Sequence, residues 1–588
     1  MTKAGRVMRV RPSGPVPEPR LPGVLDAEQR GRVLDGLGST RYDVIVIGGG
    51  VTGAGVALDA VTRGLRTLLV ERVDLAAGTS RWSSKLIHGG LRYLARGDLA
   101  VAWESAVERH TLLTAVAPHL VRAVPTLVPL DDRTLPAAGA ITEAGLALAD
   151  AMRRAAGTPS SVLPPPRRVS ATEALVLAPG LRREGLRGGL VYWDGALEDD
   201  ARLVIGLART AAAYGADFVT RCAASELRED SVRLTDQLTG ASTIVRGLVV
   251  NATGVWAGEH EPSVEIAASR GSHLVVRAAA LDYPRAVVTA AVPGHFGRFV
   301  FGVPQADGLV LVGLTDEPSP GADGIAPPVP DADVDFLLAT LNAGLARPIS
   351  EADVVGRFAG LRPLVIPRQG GGEDGSGAGG RDGGRDGGRD GGRDGGRDGG
   401  RHREGETADV SRQHLLVDLP GRPLSILGGK LTTYRRMAQD TVDAACRRLG
   451  LGPQASVCRT RSVPLVGAAA AEVLRHVPAE ERLVRRYGTE APRVAELAER
   501  HGQWLADPVV PESVGSTGSA VTGAELLHGV LAEGALCAED LIERRARLTF
   551  VDAHREAALA TAHRILLLAD RVQSQRRAPR RAPAARSA

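Results

Sequence analysis

Of the 72 basic residues in this 588-residue chain only three are lysine, Lys3, Lys85 and Lys430, and the rest are arginine. Where a compact ammonium is needed rather than a planar fork, such drift towards arginine is resisted, which draws attention to the segments around Lys85 and Lys430. Aromatic residues make up 3% of the chain and the net charge of +4 is spread along it. Neither a base-stacking platform nor a concentrated basic face follows, so no nucleic-acid partner is expected. The four cysteines, Cys222, Cys446, Cys458 and Cys537, lie far apart without a C-x-x-C pair. That excludes a disulfide framework and a zinc site, leaves no metal to expect, and fits a reduced, cytoplasmic setting. No apolar run approaches the ~20 residues of a membrane-spanning helix. The first residues are basic but carry no apolar h-region, so they do not read as a secretory signal, and any membrane contact is peripheral.

What the chain does have is length for two or three domains and sharp changes of composition. Residues 1–40 are rich in Pro, Arg and Gly and read as a disordered tail. Order begins with the apolar run "RYDVIVI" and the glycines that follow it, then a helix pattern in "AGVALDAVTRG" closed by Gly64, then a second strand in "LRTLLVER". This is a βαβ opening. Residues 41–367 form the first large unit. Residues 368–409, with repeated Arg-Asp-Gly-Gly, cannot bury apolar area and read as a solvated low-complexity insertion rather than an interaction arm. Residues 410–450 return with a strand, a glycine turn and a helix. Helical patterns then fill 459–572, and 573–588 form a basic tail that reads as a frayed terminus, with attraction of anionic lipid the alternative.

Gly48-Gly49-Gly50-Val51-Thr52-Gly53 fits G-x-G-x-x-G between a strand and a helix. Gly48 suits the tight turn, Gly50 the approach of a pyrophosphate to backbone N–H groups, and Gly53 the close packing of helix on strand. Glu71, at the end of the second strand, is spaced to accept hydrogen bonds from a ribose and disfavours a 2′-phosphate. FAD and NAD both satisfy this motif. Ala252-Thr253-Gly254 closes a later apolar strand, where a dinucleotide fold returns to its cofactor. The segment "GTSRWSSKLIHGGLRYL" combines serines, Lys85, His88 and a glycine pair in a way that neither a helix nor a strand explains.

In order, "IVIGGGVTGAG", "GTSRWSSKLIHGGLRYL", "VNATGVWAG", "RGSHLVV", "VGLTDEP", "GLRPL", "ILGGKLTTYRRMA" and "EDLIERRARL" resemble the FAD-dependent glycerol-3-phosphate dehydrogenases, which are flavoproteins of the DAO type. The resemblance runs from about Tyr42 to Pro367, resumes near Val410 and includes the C-terminal helices. It implies an α/β fold with a Rossmann-like FAD-binding domain, an interleaved α+β substrate domain and a C-terminal helical domain. It implies that Thr79, Ser80, Ser83, Ser84 and Lys85 hydrogen-bond the FAD, that Gly89 and Gly90 allow close approach, and that His88 lies near the flavin ring. Gly429, Leu431 and Thr432 would meet the ring at a helix start whose positive end stabilises negative charge.

Glycerol 3-phosphate would be held by Arg92, Tyr93, Arg362, Lys430 and Arg412. Either His88 or His273 would serve as the base beside Arg362 and Lys430. The reaction implied is oxidation to dihydroxyacetone phosphate by hydride transfer to FAD, with electrons passed to a respiratory quinone at the inner face of the cytoplasmic membrane. A glycerol-3-phosphate oxidase using oxygen shares these motifs. An oxidase of amino acids or 2-hydroxyacids, and a flavin-binding interaction protein without catalysis, are the more distant readings. A homodimer is left open.

Overall fold

The computed structural model describes Pro19, Ala455 and residues 23–89, 98–134, 136–295, 298–367, 413–452, 457–510 and 521–577. Two sheets organise the first 450 residues. Among the described residues one has eight strands, its central order being His414–Val417, Leu424–Gly428, Ser242–Asn251, Arg41–Ile47, Thr67–Val70 and Asp217–Val219. The last five of these run parallel. Strands covered on both faces need side chains that are apolar in succession. Val44, Ile45 and Val46 accordingly have no exposed surface, with Ile45 opposite Val249 on one side and Leu68 on the other.

The helix Val51–Thr62 starts directly beyond this sheet, and nearly all of it is buried beneath the helices Asp200–Ala213 and Tyr434–Arg448. Gly55 has no side chain because a Cβ there would lie 2.8 Å from the Tyr434 ring.

The second sheet has ten strands among the described residues and is mainly antiparallel. Its long elements are Val121–Leu130 on Gly188–Leu197 and Val264–Arg277 on Val354–Pro367, the latter pair bringing His273 opposite Phe358 and Ser269 opposite Arg362. The chain crosses between the sheets repeatedly, so the second sheet is interleaved with the parallel one. Beyond it the helices Ala491–His501, Gly523–Ala532 and His554–Arg577 enclose a separate core around Leu505, Leu526, Leu527, Leu541 and Ile542, and Glu481–Tyr487 packs through Leu483 and Val484 on Ala491 and Val494 in a cluster of its own.

This helical domain is fastened to the parallel sheet by buried ion pairs. Asp74 receives Arg544 and Arg545, each at 2.6 Å, Arg209 pairs with Glu490 at 2.6 Å, and Arg202 pairs with Glu533. The arginines hold the carboxyls of Asp74 and Glu533 down at about 2 against the upward push of burial.

Two boundaries differ from the sequence reading. Residues 27–36, expected in a tail, form a helix capped by Asp26, whose Oδ1 accepts from Gln29 N at 2.7 Å. Its Val33, with Leu37 just beyond, packs on Ile45, Val219 and Val232, and Arg30 donates to the Thr220 carbonyl. The sequence alone hides this because a single short apolar stripe becomes a helix only when a partner surface exists to cover it. The last helix also continues past residue 572 to Arg577. The low-complexity insertion lies outside the described residues, as do residues 1–18 and 578–588. Among the described residues no helix is long and apolar enough to cross a membrane.

Candidate active site

A cavity of about 1340 Å³ opens at the carboxyl ends of the parallel strands and runs onto the second sheet. That end is where open α/β sheets take ligands. At one lip the strand stops at Ile47 because Gly48 turns with φ 111°, and a Cβ there would lie 2.5 Å from the Ala252 carbonyl oxygen. The helix then begins, and its Val51 N–H donates to Ser80 Oγ at 2.9 Å. Glu71 accepts from Gly49 N at 2.6 Å and from Val73 N at 2.7 Å. Burial pushes its carboxyl up, and those two N–H groups pull it back. On the adjoining strand Asn251 is fully buried and donates to the Ala257 carbonyl and Ser425 Oγ, each at 3.2 Å. Its Oδ1 accepts from the Thr253 hydroxyl at 2.7 Å, which fixes the turn through Ala252 and Gly254 at the cavity wall.

The serine-rich segment crosses from the first sheet to the second. Thr79 Oγ1 donates to the Leu361 carbonyl at 2.6 Å, and Ser83 donates to Asp200 through both its N–H and its hydroxyl, at 2.9 and 2.7 Å. Thr79, Ser80, Ser83, Ser84 and His88 line the cavity. Lys85 does not. It is 1% exposed, turned into the protein with φ 60°, and its Nζ donates to Asp200 at 2.8 Å and to the carbonyls of Arg81 and Ser83. The expected cofactor contact is therefore corrected. This ammonium braces the segment from behind, because a buried acid at the start of the helix Asp200–Ala213 requires a cation.

Gly89 is corrected in the same way. Its N–H donates to Asp194 Oδ1 at 3.0 Å, and a Cβ would lie 2.5 Å from Arg109, whose guanidinium pairs with Asp194. The missing side chain makes room for that arginine rather than for a ring in the cavity. Gly90, Arg92, Tyr93 and Arg412 lie outside the described residues.

On the second sheet His273 is 3% exposed, and its Nε2 is 2.9 Å from Ser84 Oγ. One face of the imidazole stacks on Phe358, with centroids 4.7 Å apart and planes 8° apart. Burial, with Lys85 and Arg362 nearby, pulls its pKa down to about 3, so the ring is neutral at physiological pH. Arg362 reaches the cavity half-buried and donates to Asp316 Oδ1 at 3.1 Å and to the Thr315 carbonyl at 3.2 Å. From the first sheet, Gly428 and Gly429 turn with φ 69° and 79° and deliver Lys430, Leu431 and Thr432 to the same wall. The helix Tyr434–Arg448 is entered through one tight turn, Leu431–Thr433.

A glycine-bare strand-to-helix turn, a ribose-range acid and an apolar wall ending in His273, Arg362 and Lys430 fit FAD with a small anionic substrate beside it. Sequence reasoning missed Asp200, Asp316, Phe358 and the Arg109–Asp194 pair. Asp200 alone had a local signal, as one of two acids at a helix start; the others are joined to their partners only by folding.

The profile of the FAD dependent oxidoreductase family matches residues 43–382, and that of the C-terminal domain of alpha-glycerophosphate oxidase matches residues 458–574. The chain is 44% identical over 557 residues to glycerol-3-phosphate dehydrogenase 1 of Mycobacterium tuberculosis, covering 92% of this chain and 98% of that protein. It is 30% identical to the mitochondrial glycerol-3-phosphate dehydrogenase of Mesocricetus auratus, covering 87% of this chain and 68% of that one. In fold it is similar to the glycerol-3-phosphate dehydrogenase of Bacillus halodurans, solved in complex with FAD, with a TM-score of 0.66 and 24% identity over 94% of this chain and 97% of that one.

Proposed function

The chain belongs to the FAD-dependent glycerol-3-phosphate dehydrogenase family of oxidoreductases, and on that premise we propose that it oxidises sn-glycerol 3-phosphate to dihydroxyacetone phosphate and passes the electrons to a respiratory quinone. FAD, the cofactor of the family, supplies the acceptor for the hydride that leaves C2. The Gly48–Gly53 turn, Glu71, Thr79, Ser80, the Ala252–Gly254 turn, Leu431 and Thr432, which line the cavity, would hold it.

The convergence of Arg362, Lys430 and His273 on one cavity carries the proposal. Arg362 and Lys430 come from different sheets and present a fork and a point charge, the two donor geometries a phosphate dianion uses. Asp316 and the Thr315 carbonyl each take one Nη of Arg362 and aim the fork. A bound phosphate dianion would offset the Lys85 and Arg362 charges that, with burial, hold the His273 imidazole neutral, and its Nε2 would then accept the proton of the C2 hydroxyl through the Ser84 hydroxyl. His88, at the same wall, is the second candidate base. Val288, Ala290, Phe299 and Phe301 line the cavity on the second sheet and limit water there.

The quinone is a lipid-phase acceptor, so the protein works in the cytoplasm against the inner face of the membrane. The test is an anaerobic spectrum of the purified protein. Glycerol 3-phosphate bleaches the bound flavin, and a soluble quinone analogue then restores the colour faster than oxygen does. Flavin that the substrate leaves yellow overturns the proposed reaction, and faster return with oxygen overturns the acceptor.

A further inference from the structure

The ring of His273 is one member of a stack that ends in another domain. Phe358, opposite His273 across the strand pair, stacks on the imidazole at 4.7 Å, and Phe550 stacks on the far side of Phe358 at 4.7 Å with planes 4° apart. Trp82 flanks both phenyl rings at 5.5 and 6.0 Å. Phe550 belongs to the C-terminal helical domain, in the turn Leu548–Phe550, and is buried there.

Its own position is fixed from several sides. The Lys85 ammonium lies 4.9 Å from its ring centroid and the Arg547 guanidinium 5.2 Å. Gly356 has no side chain where a Cβ would strike the Phe550 carbonyl, and Asp552 N donates to the Val355 carbonyl at 3.0 Å. The C-terminal domain is thus pinned to the strand that carries Phe358, on both sides of the ring it contributes.

We propose that Phe550 is a positioning residue for His273, so that the C-terminal domain completes the catalytic pocket without touching the substrate. The proposal rests on His273 acting as the base under the function given above. A flat ring behind Phe358 stops that phenyl from rotating or retreating. The imidazole, held on one face by Phe358 and at Nε2 by Ser84, then keeps its orientation towards the cavity. An aliphatic side chain of similar bulk fills the space but does not present a plane, and a small misplacement of a catalytic group costs up to about a hundredfold in rate.

The experiment is a double-mutant cycle of Phe550→Leu and His273→Asn in the FAD-loaded full chain. Phe550→Leu alone is expected to slow anaerobic flavin reduction at saturating glycerol 3-phosphate by about tenfold to a hundredfold with KM nearly unchanged. In the His273→Asn background it is expected to add no further loss, because the two act through one group. A second readout needs no turnover. With labelled histidine, the ring signals of His273, assigned by their loss in His273→Asn, lie upfield from Phe358 shielding and move towards the ordinary imidazole position in Phe550→Leu.

Equal slowing in both backgrounds, or unmoved ring signals, overturns the positioning role alone. His273→Asn at the wild-type rate overturns the base assignment and the positioning role with it. If Phe550→Leu does not fold, Phe550→Met carries the same cycle, and failure of both to fold overturns a role confined to positioning.

Discussion

Asp316 accepts a hydrogen bond from Arg362 at 3.1 Å and another from the Ser269 hydroxyl at 2.7 Å. The carboxylate is almost fully buried and the guanidinium only partly so, so the pair has an anchored end and an end that faces the cavity. An arginine held in this way keeps its guanidinium plane in a fixed direction at the cavity, which is what a directional phosphate contact requires.

Arg362→Ala is therefore expected to raise KM for glycerol 3-phosphate by about tenfold to a hundredfold, the loss of one charge-assisted contact. Steady-state kinetics with a dye acceptor measure it. Arg362→Lys should recover only part of the affinity, since a point charge cannot use both acceptors. An unchanged KM in the alanine variant would remove this residue from the phosphate site.

Asp200→Asn leaves the Lys85 ammonium buried without its counter-charge and weakens the two bonds that hold Ser83. Breaking one side of such a pair costs about 3–5 kcal/mol, so the melting temperature should fall markedly and FAD should be retained less well. Differential scanning calorimetry, read alongside the flavin-to-protein absorbance ratio, tests both. The double variant Asp200→Asn with Lys85→Met should recover much of the loss; if it melts no higher than the single variant, the ion pair is not the cause.

Gly89→Ala places a methyl 2.5 Å from the Arg109 guanidinium, which is held by Asp194 and is itself buried. Overpacking against a fixed charged group is expected to cost about 1–3 kcal/mol and to disturb the neighbouring His88. Urea denaturation gives the cost directly. A neutral result would show that Arg109 yields and that the bare position serves something else.

Acid should destabilise the protein earlier than the carboxylates alone would. His273 and His119 are pulled down to about 3 and His528 to about 4, chiefly by burial, from an ordinary value of 6.5. Below about pH 6.5 the unfolded chain binds protons there that the folded chain refuses, so stability falls as pH falls. Each imidazole contributes up to about 1.4 kcal/mol per pH unit until its folded value is reached. Asp74 and Glu533, held at about 2 by their arginines, act in the same direction lower down, since their stabilisation is lost as pH falls from about 4 towards 2. Melting temperatures measured from about pH 8 to pH 4 should be level at the top and drop below about 6. A level profile down to pH 4 would contradict the buried neutral imidazoles.

The βαβ opening was legible because each of its constraints is local: an apolar strand, a glycine that must turn, a helix that must start at once. The meeting of Arg362 with Lys430 was reachable by resemblance, although no spacing rule joins "GLRPL" to "GGKLTTYR". What stayed hidden depends on tertiary neighbours. The resemblance made Lys85 a cofactor ligand along with the serines around it, yet its partner, Asp200, comes from a distant helix that packs behind it. Gly89 looked like a place for a flavin to approach, and Arg109 occupies that side. The helix Ala27–Gly36 has too little apolar surface to announce itself and is held by Phe218 and Thr220 carbonyls that its own sequence does not contain.

The clasp of Asp74 by Arg544 and Arg545 joins the residues just after Glu71 to a turn near the far end of the chain. Because both halves of that clasp are dry, opening it strips the buried Asp74 carboxylate of both its arginines, while Arg544 keeps Asp540 and Glu543 on its own side, and neither lobe can loosen first at low cost. Heating should accordingly give one calorimetric peak for the whole molecule, and a protease should find no long-lived fragment lacking the last helices.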